Sequence, residues 1–254
     1  MSAPSAVARA RYHAVAGLRV RSPIPTPAGH WIMGQRWEDL LFCNWPVPAE
    51  ALRPLVPPSL EIDTAEGSAW LSVVPMWMED AHFHRLPPLP FISTFPEVNL
   101  RTYVRGGDHA GVWFFSLDTG SRVNVAIARY GFRLPYFYAR VSMERLGRIA
   151  FRSVRPGGVA ALDVSYRPIG DEFSPAEDSL EHFLTERYSM FCPGRGGSVY
   201  RGDIQHAPWL LRRAELELRR AELPGAMGID LGGAKPTAFF SAATDVVLWR
   251  PLRA

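Results

Sequence analysis

The sequence predicts an α+β chain that is mainly β, with its strands following one another through a strongly bent antiparallel sheet or barrel and a few peripheral helices. Three observations predict it. Runs of alternating apolar and polar residues recur at short, regular intervals; turns bearing glycine or proline separate them; and a single stretch carries a full set of helix-start signals. With 254 residues, 47% of them hydrophobic, the chain can bury a large core as one domain.

Residues 1–30 read as a flexible arm, set off by Pro23, Pro25, Pro27 and Gly29 from an ordered domain that opens near Trp31 and runs to residue 254. The segment VPAEALRPLVPPSLEI predicts a short helix with Leu52 and Leu55 on one face, stopped by Pro57 and Pro58. SAWLSVVPMWM alternates as a strand does. HRLPPLPFISTFP is too rich in proline for regular structure and reads as a loop covering the hairpin next to it in the chain. NLRTYV and VWFFSLD form that hairpin around Gly106 and Gly107. Further strands are expected at SRVNVAIARYGF, PYFYARVSME, GRIAFRSVR and GGVAALDVSYRP. A capping box at Ser174-Pro175-Ala176-Glu177 predicts a helix from Pro175 to about Tyr188. APWLLRRAELELRRAEL fits a helix or a strand equally, and AFFSAATDVVLWRPL ends the chain as a strand.

Within FPEVNLRTYV, Glu97, Asn99, Arg101 and Tyr103 stand at every second position and therefore on one strand face. Set among Phe91, Phe95, Trp113, Phe114 and Phe115, that face either lines a cavity or forms a solvated edge with one Glu/Arg pair. Arg101, Arg129 and Arg133 could converge on one ligand carboxylate or phosphate; alternatively, each pairs with Glu97, Asp118 or a backbone carbonyl. Tyr136 offers a phenol as acid or hydrogen-bond donor, and His206, in HAPW, offers an imidazole at a barrel mouth. His82 and His84 have metal-ligand spacing, but no third ligand accompanies them, so neither a metal nor a cofactor is expected.

Composition narrows the partners. The net charge of +3 comes almost wholly from arginine, since Lys235 is the sole lysine, and the arginines are spread among acids rather than clustered as on a nucleic-acid surface. Cys43 and Cys192 are too few for a disulfide framework and suit a reduced, cytoplasmic setting. No run approaches a membrane span, and the start lacks a signal-peptide apolar core. A small-molecule ligand, no nucleic acid and no membrane is the expectation, with homo-oligomerisation left open.

The strings PEVNLRTYV, GVWFFSLD, LPYFYARV, LTERY and HAPW resemble the DUF2071, or YqjF-like, family over about Trp31 to Trp249. That resemblance implies an acetoacetate decarboxylase-like β-barrel around a buried pocket. It also implies that Glu97 is the counterpart of a decarboxylase glutamate and Gly131-Phe132 that of a Gly-Phe-Pro-Lys-Lys stretch whose lysine forms a Schiff base. Here Arg133, Leu134 and Pro135 stand in place of Pro-Lys-Lys. A guanidinium stays protonated and forms no ordinary imine, so Schiff-base decarboxylation is not expected. Two functions remain: non-covalent acid-base work on a small organic acid or carbonyl compound, with Glu97 as base and Arg101 as anion clamp, or a non-catalytic sensor or carrier.

Overall fold

A computed structural model describes residues 6–18, 27 and 29–254, apart from the side chains of residues 6–10 and of Arg195. Helix α1 (Ala6–Ala16) precedes β1 (Met33–Val47), α2 (Ala49–Leu52), the short β2 (Glu61–Ile62) and β3 (Thr64–Ala65), and the long β4 (Ser68–Phe83). The hairpin comes next as β5 (Phe95–Gly106) and β6 (His109–Thr119), then α3 (Arg122–Ile127), β7 (Tyr136–Tyr138), β8 (Arg140–Leu146), β9 (Arg148–Val154) and β10 (Ala161–Phe173). Helix α4 (Leu180–Thr185), β11 (Ser189–Pro193), β12 (Val199–His206), β13 (Leu211–Ala221), β14 (Thr237–Leu248) and β15 (Leu252–Arg253) complete the chain.

The strands join in the order β12-β11-β6-β5-β4-β1-β14, and Ile204 to His206 of β12 pair with Val246 to Leu248 of β14, so the ring closes. Its pairings are antiparallel except β6 with β11. Gly111 makes that exception possible, because a Cβ there would strike the Ser189 carbonyl and the Phe191 ring. Strands β13, β10, β9 and β8 continue from β14 as a second layer.

This layering explains β5. Its residues 97–104 are all buried, because both faces are covered. Val98, Leu100 and Val104 pack with Phe151, Val164 and Tyr166 of the second layer, whereas Tyr103 packs inside the ring with Phe42, Val74 and Trp209. Each large side chain so buried contributes about 1.5–3 kcal/mol by area removed from water. The hairpin turns on Gly107 at φ 60, the first position of a two-residue loop, where glycine adopts the left-handed backbone without strain.

Three expectations change. The arm is structured in part: Tyr12 and Val15 of α1 are buried with Trp31, Val247 and Trp249, and Arg11 pairs with Asp80 at 2.9 Å and Asp245 at 3.2 Å. The rest of that expectation, residues 1–5, 19–26 and 28, lies outside the described residues. SRVNVAIARYGF is helical rather than extended, since Ser121 Oγ caps α3 by accepting from the Asn124 amide at 3.2 Å, and a π-turn over Ala128–Phe132 comes directly after it. Helix α4 starts later than the capping box predicts, because Ser179, not Ser174, accepts from the His182 amide at 3.2 Å, and the backbone leaves helical geometry at Glu186. The ambiguous stretch after Pro208 is the strand β13. Among the described residues, no helix is long and apolar enough to cross a membrane.

Candidate functional site

Glu97, Asn99 and Arg101 line an enclosed chamber of about 70 Å³ inside the ring. They are 2%, 2% and 8% exposed, so the solvated-edge alternative does not hold for this face. Strand geometry sets Glu97 and Arg101 about 13 Å apart at Cα, with Asn99 midway. Across from them stand Tyr136 on β7, Thr185 and Arg187 after α4, and His206 and Trp209 at the end of β12. Tyr103, fully buried, donates its hydroxyl to the Leu184 carbonyl at 2.8 Å and braces α4 against the wall.

The Tyr136 hydroxyl donates to Glu97 Oε2 at 2.6 Å. Burial pushes the Glu97 carboxyl up to about 7, against the opposing pull of that hydrogen bond, and the nearby Asp118 adds to the rise. Burial also holds Tyr136 well above the ordinary phenol value, with the Glu97 charge reinforcing it, so the phenol keeps its proton.

Arg101 lacks what a buried cation ordinarily has. Among the described residues it forms no ion pair; its Nη2 reaches the Leu184 carbonyl at 3.5 Å, and its Nε has no partner. The guanidinium rests over the rings of Phe42 at 5.5 Å and Tyr103 at 5.9 Å. Asn99 Oδ1 is likewise buried without a partner. Arg187 behaves differently, being tied to Asp63 Oδ2 at 2.7 Å and to the Phe183 carbonyl at 2.8 Å. Burial lowers its pKa and Asp63 opposes the fall.

His206 lines the chamber with its ring already engaged. Its Nδ1 lies 2.7 Å from the Ala207 carbonyl, and Tyr188 and Trp209 flank the ring at 4.6 and 4.7 Å. Burial lowers its pKa, while the Ala207 carbonyl opposes, so it is held neutral. Glu186 accepts from the Trp209 amide at 2.8 Å and from the Tyr188 hydroxyl, fixing both rings.

Arg129 and Arg133 do not join Arg101. The turn after α3 carries both outward: Arg129 lies 5.1 Å from the Phe137 ring centroid, Arg133 sits at φ 57, and each is exposed. Asp118, an expected partner for either, is held instead by Arg155 through two hydrogen bonds of 2.7 and 2.8 Å. His82 faces Tyr12, and His84 faces Trp31. Lys235 is exposed and lines neither the chamber nor the cavity beside it. Gln35 and Trp37 of β1 also line the chamber, with Trp37 Nε1 donating to Gln35 Oε1 at 2.9 Å. Their alternation with Arg36 and Glu38 was the available signal.

The ring of strands with this buried interior is the acetoacetate decarboxylase-like fold. The chain superposes on acetoacetate decarboxylase from Legionella pneumophila with a TM-score of 0.60 at 15% identity, covering 100% of this chain and 98% of that one. It superposes on the enduracididine biosynthesis enzyme MppR complexed with pyruvate with a TM-score of 0.62 at 11% identity, covering 93% and 98%. Residues 34–245 match the model of DUF2071, described as an uncharacterised conserved protein, and the chain belongs to that family. It is 43% identical over 232 residues to the uncharacterised protein YqjF of Bacillus subtilis strain 168, covering 91% of this chain and 95% of that protein.

Proposed function

We propose that the chamber binds a small organic acid or carbonyl compound and performs non-covalent acid-base chemistry on it, with Arg101 as anion clamp and Glu97 as proton acceptor. The observation that carries this reading is Arg101: a buried guanidinium without a carboxylate partner costs stability unless a ligand anion completes it. Arg187 already has Asp63, and His206 is neutral, so Arg101 is the cation left to attract that anion. A carboxyl with a pKa of about 7 exchanges its proton readily at neutral pH, which suits removal of a proton beside a carbonyl. Tyr136 keeps its proton and returns a hydrogen bond to Glu97 or to a developing enolate oxygen. Asn99 orients the ligand, and His206 positions Trp209 and Tyr188 rather than carrying protons.

Imine chemistry does not enter, because the sole lysine is exposed and away from the chamber. The fold neighbour solved with pyruvate shares 11% identity, and its ligand supplies a first probe. The test is exchange of the α-protons of pyruvate and related 2-oxo acids into D₂O, followed by NMR. Exchange lost in Glu97→Gln supports enolisation; binding without exchange in the wild type selects a sensor or carrier.

A further inference from the structure

We infer that the ligand is amphipathic: its polar head occupies the chamber, and an aliphatic or aromatic tail fills the apolar cavity next to it. This rests on the proposed binding of an anion at Arg101. The second cavity is about 350 Å³, against about 70 Å³ for the chamber, and Gln35, Leu134, Tyr136, Met190 and Leu248 line both. The two spaces therefore meet at the Tyr136 side chain, beside the Glu97 carboxyl it bonds.

The larger cavity has no acid, lysine or arginine in its wall. Its polar side chains are spent on bracing the proline-rich loop. Ser93 Oγ donates to the Ala81 carbonyl at 2.6 Å and accepts from the Leu89 amide at 2.7 Å, and Asn124 Nδ2 donates to the Ile92 carbonyl at 3.0 Å. The surface left facing inward is hydrocarbon. Leu86, Leu89, Phe83 and Ile127, all in this wall, stay 54%, 48%, 39% and 36% exposed. A chain of CH₂ groups leaving the chamber would remove that apolar surface from water, whereas a second charged or hydroxylated group would lose hydration without gaining a partner. A head as small as pyruvate leaves the larger cavity unfilled.

Isothermal titration with straight-chain 2-oxo acids from pyruvate to 2-oxodecanoate tests this in the wild type and in Leu89→Glu, Ile127→Glu and Arg101→Ala. Both acidic substitutions are at exposed positions, and their unfolding temperatures verify the fold. Affinity should rise by about fourfold per added methylene over the first several carbons. The two acidic variants should flatten that rise while keeping pyruvate affinity, and Arg101→Ala should weaken every member. Equal affinity along the series, with pyruvate binding still dependent on Arg101, would overturn the tail and leave the anion reading standing. No binding at any length would overturn both.

Discussion

Tyr136 gives its hydroxyl hydrogen to Glu97 Oε2 at 2.6 Å across the barrel interior, joining the short strand β7 to the central strand β5. The bond favours the ionised carboxylate, while burial favours the neutral acid, and burial is the larger influence. Removing the bond should therefore raise the Glu97 pKa further. In Tyr136→Phe, the carboxyl titration followed by infrared or ¹³C spectroscopy should move above its wild-type midpoint near 7. An unchanged or lowered midpoint would mean that another group sets it.

Stability should carry the same signature. The folded carboxyl holds its proton up to about pH 7, whereas the unfolded one releases it near 4.5, so the native state binds more protons between those values. Stability attributable to Glu97 thus falls as pH rises through this window and is constant outside it, by roughly 3 kcal/mol in all. Glu97→Gln should remove that slope and exceed the wild type in stability at pH 8. Chemical denaturation at pH 5 and pH 8 measures the difference.

The two buried arginines should respond in opposite directions. Arg187→Met strands Asp63 beside an apolar side chain and should cost roughly 3 kcal/mol. Arg101→Met removes a cation that has no carboxylate partner among the described residues and should leave the ligand-free protein unchanged or about 1 kcal/mol more stable. Thermal unfolding of the pair against the wild type decides it; equal losses would mean that Arg101 is a structural group.

Much of this was legible in the sequence, for reasons that also show where legibility ends. Alternation exposed the β5 face because strand geometry sends Glu97, Asn99 and Arg101 the same way whatever surrounds them. The opposite face, Val98, Leu100 and Val104, gave no hint of a second layer, since a covered apolar face looks the same against a helix or a sheet. Val123, Val125 and Ile127 alternate as a strand would, yet Ser121 caps a helix there, and that local reversal carried Arg129 and Arg133 out of the site. Partnering was beyond reach as well: nothing in the spacing of Asp63 and Arg187, or of Asp118 and Arg155, announces that they meet.

Helix α1 is held chiefly by Tyr12 and Arg11 at its point of contact with the barrel. Tyr12→Ala should release it without unfolding the ring, because the strands close without it. Hydrogen exchange should lose protection over residues 11–16 alone; loss of protection in β1 and β14 as well would make the helix part of the folding core.

The most direct measurement of the central claim is the thermal shift produced by 2-oxo acids on the wild type and on Arg101→Met. Ligand binding to the folded state alone raises its apparent stability by about 2.7 kcal/mol at a hundred times Kd. The wild type should gain several degrees in Tm and Arg101→Met none. Equal shifts in the two proteins would place the anion elsewhere and contradict the assignment of Arg101.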